Sequence, residues 1–358
     1  MVRRSRLTTL LLLLGIPGLL SVAVVKANAQ TGLKGEVIVF PPPPDTVRIQ
    51  FLARFSEAAD ITGRRSGIMA YIFGKQAPKP IIKPYGLAIR HGVVYICDTI
   101  VAGLEIIDLK RKTFRYFKPR GLGLLRKPIN CYVDGKGYLY VADTGRQQVV
   151  IYDDQLQYVG SIGSPAEMKP TDVNVVDNKI WVTDLKSHKV RVYHAFTHEL
   201  LRSFPEADAD TAARLFSPTN LCVTRDKVYV SDLGAFKVKI YTRDGEFLQS
   251  IGSYGRGLGQ FARPKGIAVD RDGNLYVVDA AFENVQIFDK NGNLLMPFGG
   301  PYEGPGYMWL PAKIVIDYDN LGLFQKFVDK RFRLKYLIFV TNQYGPDKVN
   351  VYGFVEPR

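Results

Sequence analysis

A proline followed by an apolar strand recurs at Pro84, Pro128, Pro170, Pro218, Pro264 and Pro311, at intervals of 44, 42, 48, 46 and 47 residues. A unit copied six times must bury the same faces six times, so the repeat limits the fold more than any other feature. Behind each proline an acid or amide closes a second strand: Asp98, Asp143, Asp184, Asp232, Asp279 and Asn342. A third strand then alternates, as in Val149-Val150-Ile151-Tyr152, Val238-Lys239-Ile240-Tyr241 and Val285-Gln286-Ile287-Phe288. The fifth copy shows the whole unit. Residues 266–270 read as one strand, and Asp272-Gly273-Asn274 as a turn built for positive φ. Residues 275–278 and 285–288 read as two more strands, and Asn291-Gly292 turns the chain into a fourth over 294–298.

Four short antiparallel strands form a blade whose two apolar faces cannot be buried alone. Stacking such blades in a ring buries both faces and leaves no large exposed edge. The spacing therefore predicts an all-β, six-bladed β-propeller of four-stranded antiparallel blades. The sixth copy stops at Arg358 without a fourth strand, whereas Arg48-Ile49-Gln50-Phe51-Leu52-Ala53-Arg54-Phe55 has the alternation of one. That N-terminal strand is expected to complete the last blade, giving a propeller over residues 48–358. The run Pro41-Pro42-Pro43-Pro44 in the 30–47 lead-in is expected to be stiff and extended.

Arg3, Arg4 and Arg6 precede an apolar run over 7–25, and Ala27-Asn28-Ala29 follows it. A basic start, an apolar middle and an A-x-A site predict a secretory signal over residues 1–29, cleaved after Ala29. The expected location is periplasmic or extracellular. The formal charge of +14 falls to +10 once Arg3, Arg4, Arg6 and Lys26 are removed, which still favours an anionic partner. Cys97, Cys131 and Cys222 all lie in apolar runs and read as buried thiols, not as a disulfide scaffold.

Tyr254-Gly255-Arg256-Gly257-Leu258-Gly259-Gln260-Phe261, with Pro264-Lys265-Gly266-Ile267-Ala268-Val269-Asp270, resembles the NHL repeat. The continuation through Tyr276-Val277-Val278-Asp279 to Val285-Gln286-Ile287-Phe288 carries the same resemblance. The chain is also similar to exported six-bladed NHL propellers of bacteria, through Pro41-Pro42-Pro43-Pro44-Asp45, Asn342-Gln343-Tyr344-Gly345-Pro346 and Val351-Tyr352-Gly353-Phe354. The resemblance implies the fold and the compartment. Some animal NHL propellers bind RNA on a basic face, but export of this chain argues against a nucleic-acid target.

Residues that recur in every blade are expected to fix turns by accepting local backbone N–H groups. Function should therefore lie in exceptions to the repeat. Where Gly86 and Gly266 open the first strand, other copies carry Asn130, Asp172, Asn220 and Lys313, which would ring the channel mouth. His91, His194 and His198 fall on the opposite face from His188, a division that cannot make a three-histidine metal site. No metal or other cofactor is expected, and no Gly-x-Ser-x-Gly or Walker loop is present.

Loops between blades share a face with the second-to-third-strand loops. That face would present Arg64, Arg65, Lys118, Arg120, Arg126, Lys127 and Arg146 as a ligand-binding surface. The expectation is a noncatalytic binding or scaffold propeller. Its partner would be an envelope or extracellular protein, with an acidic cytochrome among the partners considered, or an anionic polymer. The alternative is a lyase or lactone hydrolase with a channel-mouth metal. A longer segment over 320–336, with a short helix over 324–328 beside Lys330, Arg331, Arg333 and Lys335, is either a basic docking element or a lid.

Overall fold

The computed structural model describes residues 37–63, 77–206 and 208–358. The 1–29 leader, Arg64 and Arg65 lie outside those residues. Six antiparallel sheets follow one another along the chain. Blade 1 comprises Pro84–Arg90, Val93–Asp98, Gly103–Asp108 and Thr113–Phe117. Blades 2 to 5 begin with Pro128–Val133, Pro170–Val176, Pro218–Val223 and Pro264–Val269, each followed by three more strands. Each first strand neighbours the next blade's first strand, and Pro311–Asp317 of blade 6 returns to Pro84–Arg90, closing the ring.

The seam lies in blade 6. Its strands Pro311–Asp317, Phe332–Asn342 and Val349–Pro357 are completed by Ile49–Phe55, with Ile49 opposite Phe354 and Phe55 opposite Val349. The N-terminal strand therefore closes the propeller as the alternation predicts. A fifth strand, Val39–Phe40, pairs outside it with Ile49 and Gln50. The chain reverses through 41–48 to make this pairing, so the proline run turns the backbone instead of extending it. Arg48 N donates to Phe40 O and holds the reversal.

Six apolar clusters form the core, each between two neighbouring blades. This follows from the period-2 pattern, which sends alternate side chains to opposite faces of every blade. The seam cluster between blades 6 and 1 also takes Ala58 and Ile61 from the helix Ala58–Thr62, and Phe324 from the long segment of blade 6. The helix expected over 324–328 is instead Leu321–Phe324, continued by a 3-10 turn at Gln325–Phe327. Phe324 is buried against Phe55 and Phe339, while Gln50 bonds Phe327 O and Asp329 N. Arg331 pairs with Asp329, and Arg333 and Lys335 share Glu356, so this segment packs the seam and spends most of its charge locally.

The recurring acids fasten each blade to the loop before it. Asp98 accepts from Ile82 N, Lys83 N, Ile100 N and Val101 N at 2.7–3.0 Å. Asp143 takes Arg126 N, Lys127 N, Gly145 N and Arg146 N, and Asp279 takes Ala262 N, Arg263 N, Ala281 N and Phe282 N. Four donors on one buried carboxylate satisfy loop N–H groups that have no strand partner. The two glycines at the axis have a different cause. A Cβ on Gly86 would lie 2.4 Å from Asn130 Cα, and one on Gly266 would lie 2.7 Å from Lys313 Cα, so only glycine lets these inner strands approach.

Candidate functional site

The first strands enter the axis from six directions, and their exceptional residues meet there. Blade 3 and blade 6 face each other across the ring, and Lys313 Nζ donates to Asp172 Oδ2 at 2.6 Å. The same oxygen accepts from Leu221 N at 3.1 Å and Asn220 Nδ2 at 3.3 Å, and Oδ1 accepts from Val173 N at 2.9 Å. Asn130 Nδ2 donates to Thr171 O at 2.7 Å. Asn130, Asp172 and Asn220 have no exposed surface, and Lys313 is 5% exposed. These four residues therefore do not ring an open mouth. They form a sealed polar waist, because each side chain reaches a neighbouring or opposite blade before it reaches solvent.

The waist also bears on metal chemistry. A channel cation would need Asp172, yet the Lys313 ammonium already neutralises that carboxylate from 2.6 Å. Among the described residues no group of three His, Cys, Asp or Glu side chains is placed to hold a metal ion. Asn130 Oδ1 and Asn220 Oδ1 stay buried without a donor. Below the waist a cavity of about 340 Å³ opens on the face of the first-to-second-strand turns. Leu87, Cys131, Cys222, Val269, Arg271 and Tyr318 are among its walls, and the Arg271 guanidinium lies 4.0 Å from the Tyr318 ring centroid. Burial raises the Cys222 thiol to about 11.

Above the waist lies the loop face. Arg120, Arg126 and Lys127 are exposed there, and no ion pair or side-chain hydrogen bond engages them among the described residues. Lys118 is also exposed, its Nζ 5.7 Å from the Tyr116 ring centroid. Arg146 is different. It donates to Leu122 O and Leu124 O at 2.6 and 2.8 Å and to Gln148 Oε1, so it pins the loop and has little left for a ligand. Lys186 is likewise committed to Pro165 O and Ala166 O. No sequence signal separates these structural cations from the free ones, since both kinds stand in loops.

Two further features of this face are not among the residues that the sequence singled out. The first is apolar: Leu122, Tyr254 and Leu258 are 76%, 70% and 68% exposed, joined by Ile100, Trp309 and Tyr344. Most of the large exposed hydrophobic side chains among the described residues lie on these loops, interleaved with the cations. The second is Lys265, one step above the waist in the first strand of blade 5. It is 4% exposed, and its Nζ lies 4.9 Å from the Tyr85 ring centroid with no hydrogen bond or ion pair among the described residues. Burial, then the positive charges of Arg263 and Lys83, push its amine down to about 7. The equivalent positions carry Tyr85, Ile129, Thr171, Thr219 and Ala312, so a lysine here was the legible exception.

A family model described as a 6-bladed beta-propeller matches residues 212–282. This chain has the six-bladed propeller fold. Antigen Lp49 of Leptospira interrogans is 29% identical over 167 residues, 43% of this chain and 31% of that protein, so the chain spans about a third of the curated relative it matches. Among solved structures, a protein of unknown function from Bacteroides thetaiotaomicron aligns with a TM-score of 0.59 at 18% identity, over 86% of this chain and 76% of that one. Virginiamycin B lyase from Staphylococcus aureus, solved with quinupristin, aligns with a TM-score of 0.53 at 14% identity, over 76% and 95% of the two chains. A gluconolactonase from Xanthomonas campestris aligns with a TM-score of 0.52 at 17% identity, over 90% and 100%. At these identities the likeness is one of fold.

Proposed function

We propose that this is an exported, noncatalytic binding or scaffold propeller of NHL type that recognises its partner through the loop face. The partner is an envelope or extracellular protein, or an anionic polymer. One observation carries the reading: exposed apolar side chains such as Leu122, Tyr254 and Leu258 share a face with the cations Arg120, Arg126 and Lys127, which have no ion pair among the described residues. Apolar anchors supply contact area, and cations around them steer an anionic partner and fix its orientation. The alternative, a lyase or lactone hydrolase working through a channel metal, has less support because Lys313 already neutralises Asp172.

The test is capture from the native envelope fraction by wild-type protein and by a variant carrying Arg120→Gln, Arg126→Gln and Lys127→Gln. A discrete partner should be held at low salt, released at high salt and lost from the variant, because exposed ion contacts are screened. A Leu122→Ser variant should weaken the same capture with little change in its salt dependence. Equal capture by the wild type and the triple variant overturns the proposal.

A further inference from the structure

We infer that the loop-face end of the propeller axis, where Lys265 is buried against Tyr85, is a discrete site for a small oxyanion, with the Lys265 ammonium as its central ligand. Lys265 enters from the first strand of blade 5, and Tyr85 faces it from blade 1. Arg263 stands two residues before it, exposed, in the loop that leads into the same strand. Lys83 stands before the first strand of blade 1, its Nζ 4.9 Å from the ring centroid of Tyr344.

A buried ammonium without an oxygen partner among the described residues is what calls for an anion. The nearest buried carboxylate, Asp172 in the waist below, is already matched by Lys313 at 2.6 Å. Asp279, near Arg263, and Asp98, near Lys83, keep their charge but direct their oxygens to backbone N–H groups of the flanking loops, not to a cation. Among the described residues no carboxylate forms an ion pair with Lys265, Arg263 or Lys83, the last two lie near enough for their charge to act on Lys265, and Lys265 itself is desolvated. An aromatic face offsets only part of the cost of burying an ammonium. An oxyanion accepting from Lys265 Nζ would remove that cost, and Arg263 and Lys83 would add charge from the rim. The site goes beyond partner docking and stands independently of it, because a small solute can fill it whether or not a macromolecule covers the face.

Proton linkage gives a readout that nonspecific attraction to a basic surface lacks. The empty site holds its amine near neutrality, with a value of about 7, so an anion arriving at pH 8 must bring a proton with it. Sulfate and acetate are the probes, since neither titrates near that pH. Calorimetry at pH 8 and fixed ionic strength, in two buffers of different ionisation enthalpy, reads both affinity and protons taken up.

Saturable one-to-one binding of either probe, with uptake approaching one proton, is expected. Lys265→Met should weaken it at least tenfold and abolish the uptake. Lys265→Arg, always charged, should retain binding without uptake. Arg120→Gln, on the same face but away from the axis, should leave both quantities unchanged. Sulfate without acetate, or the reverse, would assign the geometry of the oxyanion. Lys265→Met places an apolar side chain in a desolvated position, so it is expected to fold, and its melting curve checks this. Absence of saturable binding of both probes to wild type overturns the inference. So does binding that takes up no proton, or binding that survives Lys265→Met.

Discussion

Replacing Lys313 by Met asks whether the propeller axis is dry or wet. The wild-type pair lies 2.6 Å apart, with 7% of the Lys313 side chain and none of Asp172 exposed. At an effective dielectric of 20 that separation corresponds to a gross attraction of about 6 kcal/mol, against a desolvation cost of several kcal/mol for each ion. The pair as a whole is therefore near balance, while either half alone is expensive. Lys313→Met leaves the Asp172 carboxylate with Val173 N, Leu221 N and Asn220 Nδ2 as donors and no cation. The expected loss is about 3–5 kcal/mol, the usual range when one partner of a buried pair is removed. Asp172→Asn should cost a similar amount by stranding the ammonium. The double variant should recover most of either loss, giving a coupling energy of roughly 2 kcal/mol or more. Urea denaturation of the four proteins at pH 7 measures the cycle. A loss below about 1 kcal/mol for Lys313→Met would falsify the sealed waist, because only a hydrated carboxylate can lose its counter-ion so cheaply. It would also restore the channel as a route for solvent and metal ions.

Removing residues up to 57 exposes the edge of Val349–Pro357 and opens the seam core, so the shortened protein should lose its sharp urea transition; an unchanged transition would sink the closure argument. Glu105 is fully buried with no donor on either oxygen, and burial followed by the Asp98 charge raises it to about 9. A carboxyl raised from 4.5 to about 9 costs stability as pH rises through that window, with roughly 3 kcal/mol lost by pH 7. The stability gain from Glu105→Gln should therefore be absent near pH 4 and grow up to about pH 9, and a pH-independent difference would refute it. Cys97 and Cys131 are buried and the Cys222 thiol lies at about 11, so the native protein at pH 8 should react with a thiol reagent far more slowly than the denatured chain. Rapid native labelling would contradict that burial.

The ring was legible because each blade repeats its own boundary conditions. Pro218 opens a strand, Asp232 binds the loop before it, and Val238, Ile240 and Tyr241 are buried from the third strand, so local pattern and long-range packing agree. The Val39–Phe40 strand was not legible, because two residues carry no period and pair only once Ile49–Phe55 is in place. The axis was half legible. Asp172 and Lys313 stand out as exceptions, but 141 residues and three blades separate them, and only ring closure makes them opposite. One equivalent position in the third strands follows the same logic. It is Arg191, Lys239, Gln286 and Asn350 in blades 3 to 6, and each bonds the loop before its blade. In blade 1 it is Glu105, which accepts nothing. A repeat thus defines what each position does by default, and Glu105 departs from it by facing Asp98 of its own blade and not the loop before it. Lys265 is a second exception, at the loop-face end of the axis. Both exceptions lie towards the face that carries Arg120, Leu122 and Arg126, whereas the recurring aspartates on that face are fully occupied. The loop face, not the repeated framework, is therefore where selection for a ligand would leave its mark.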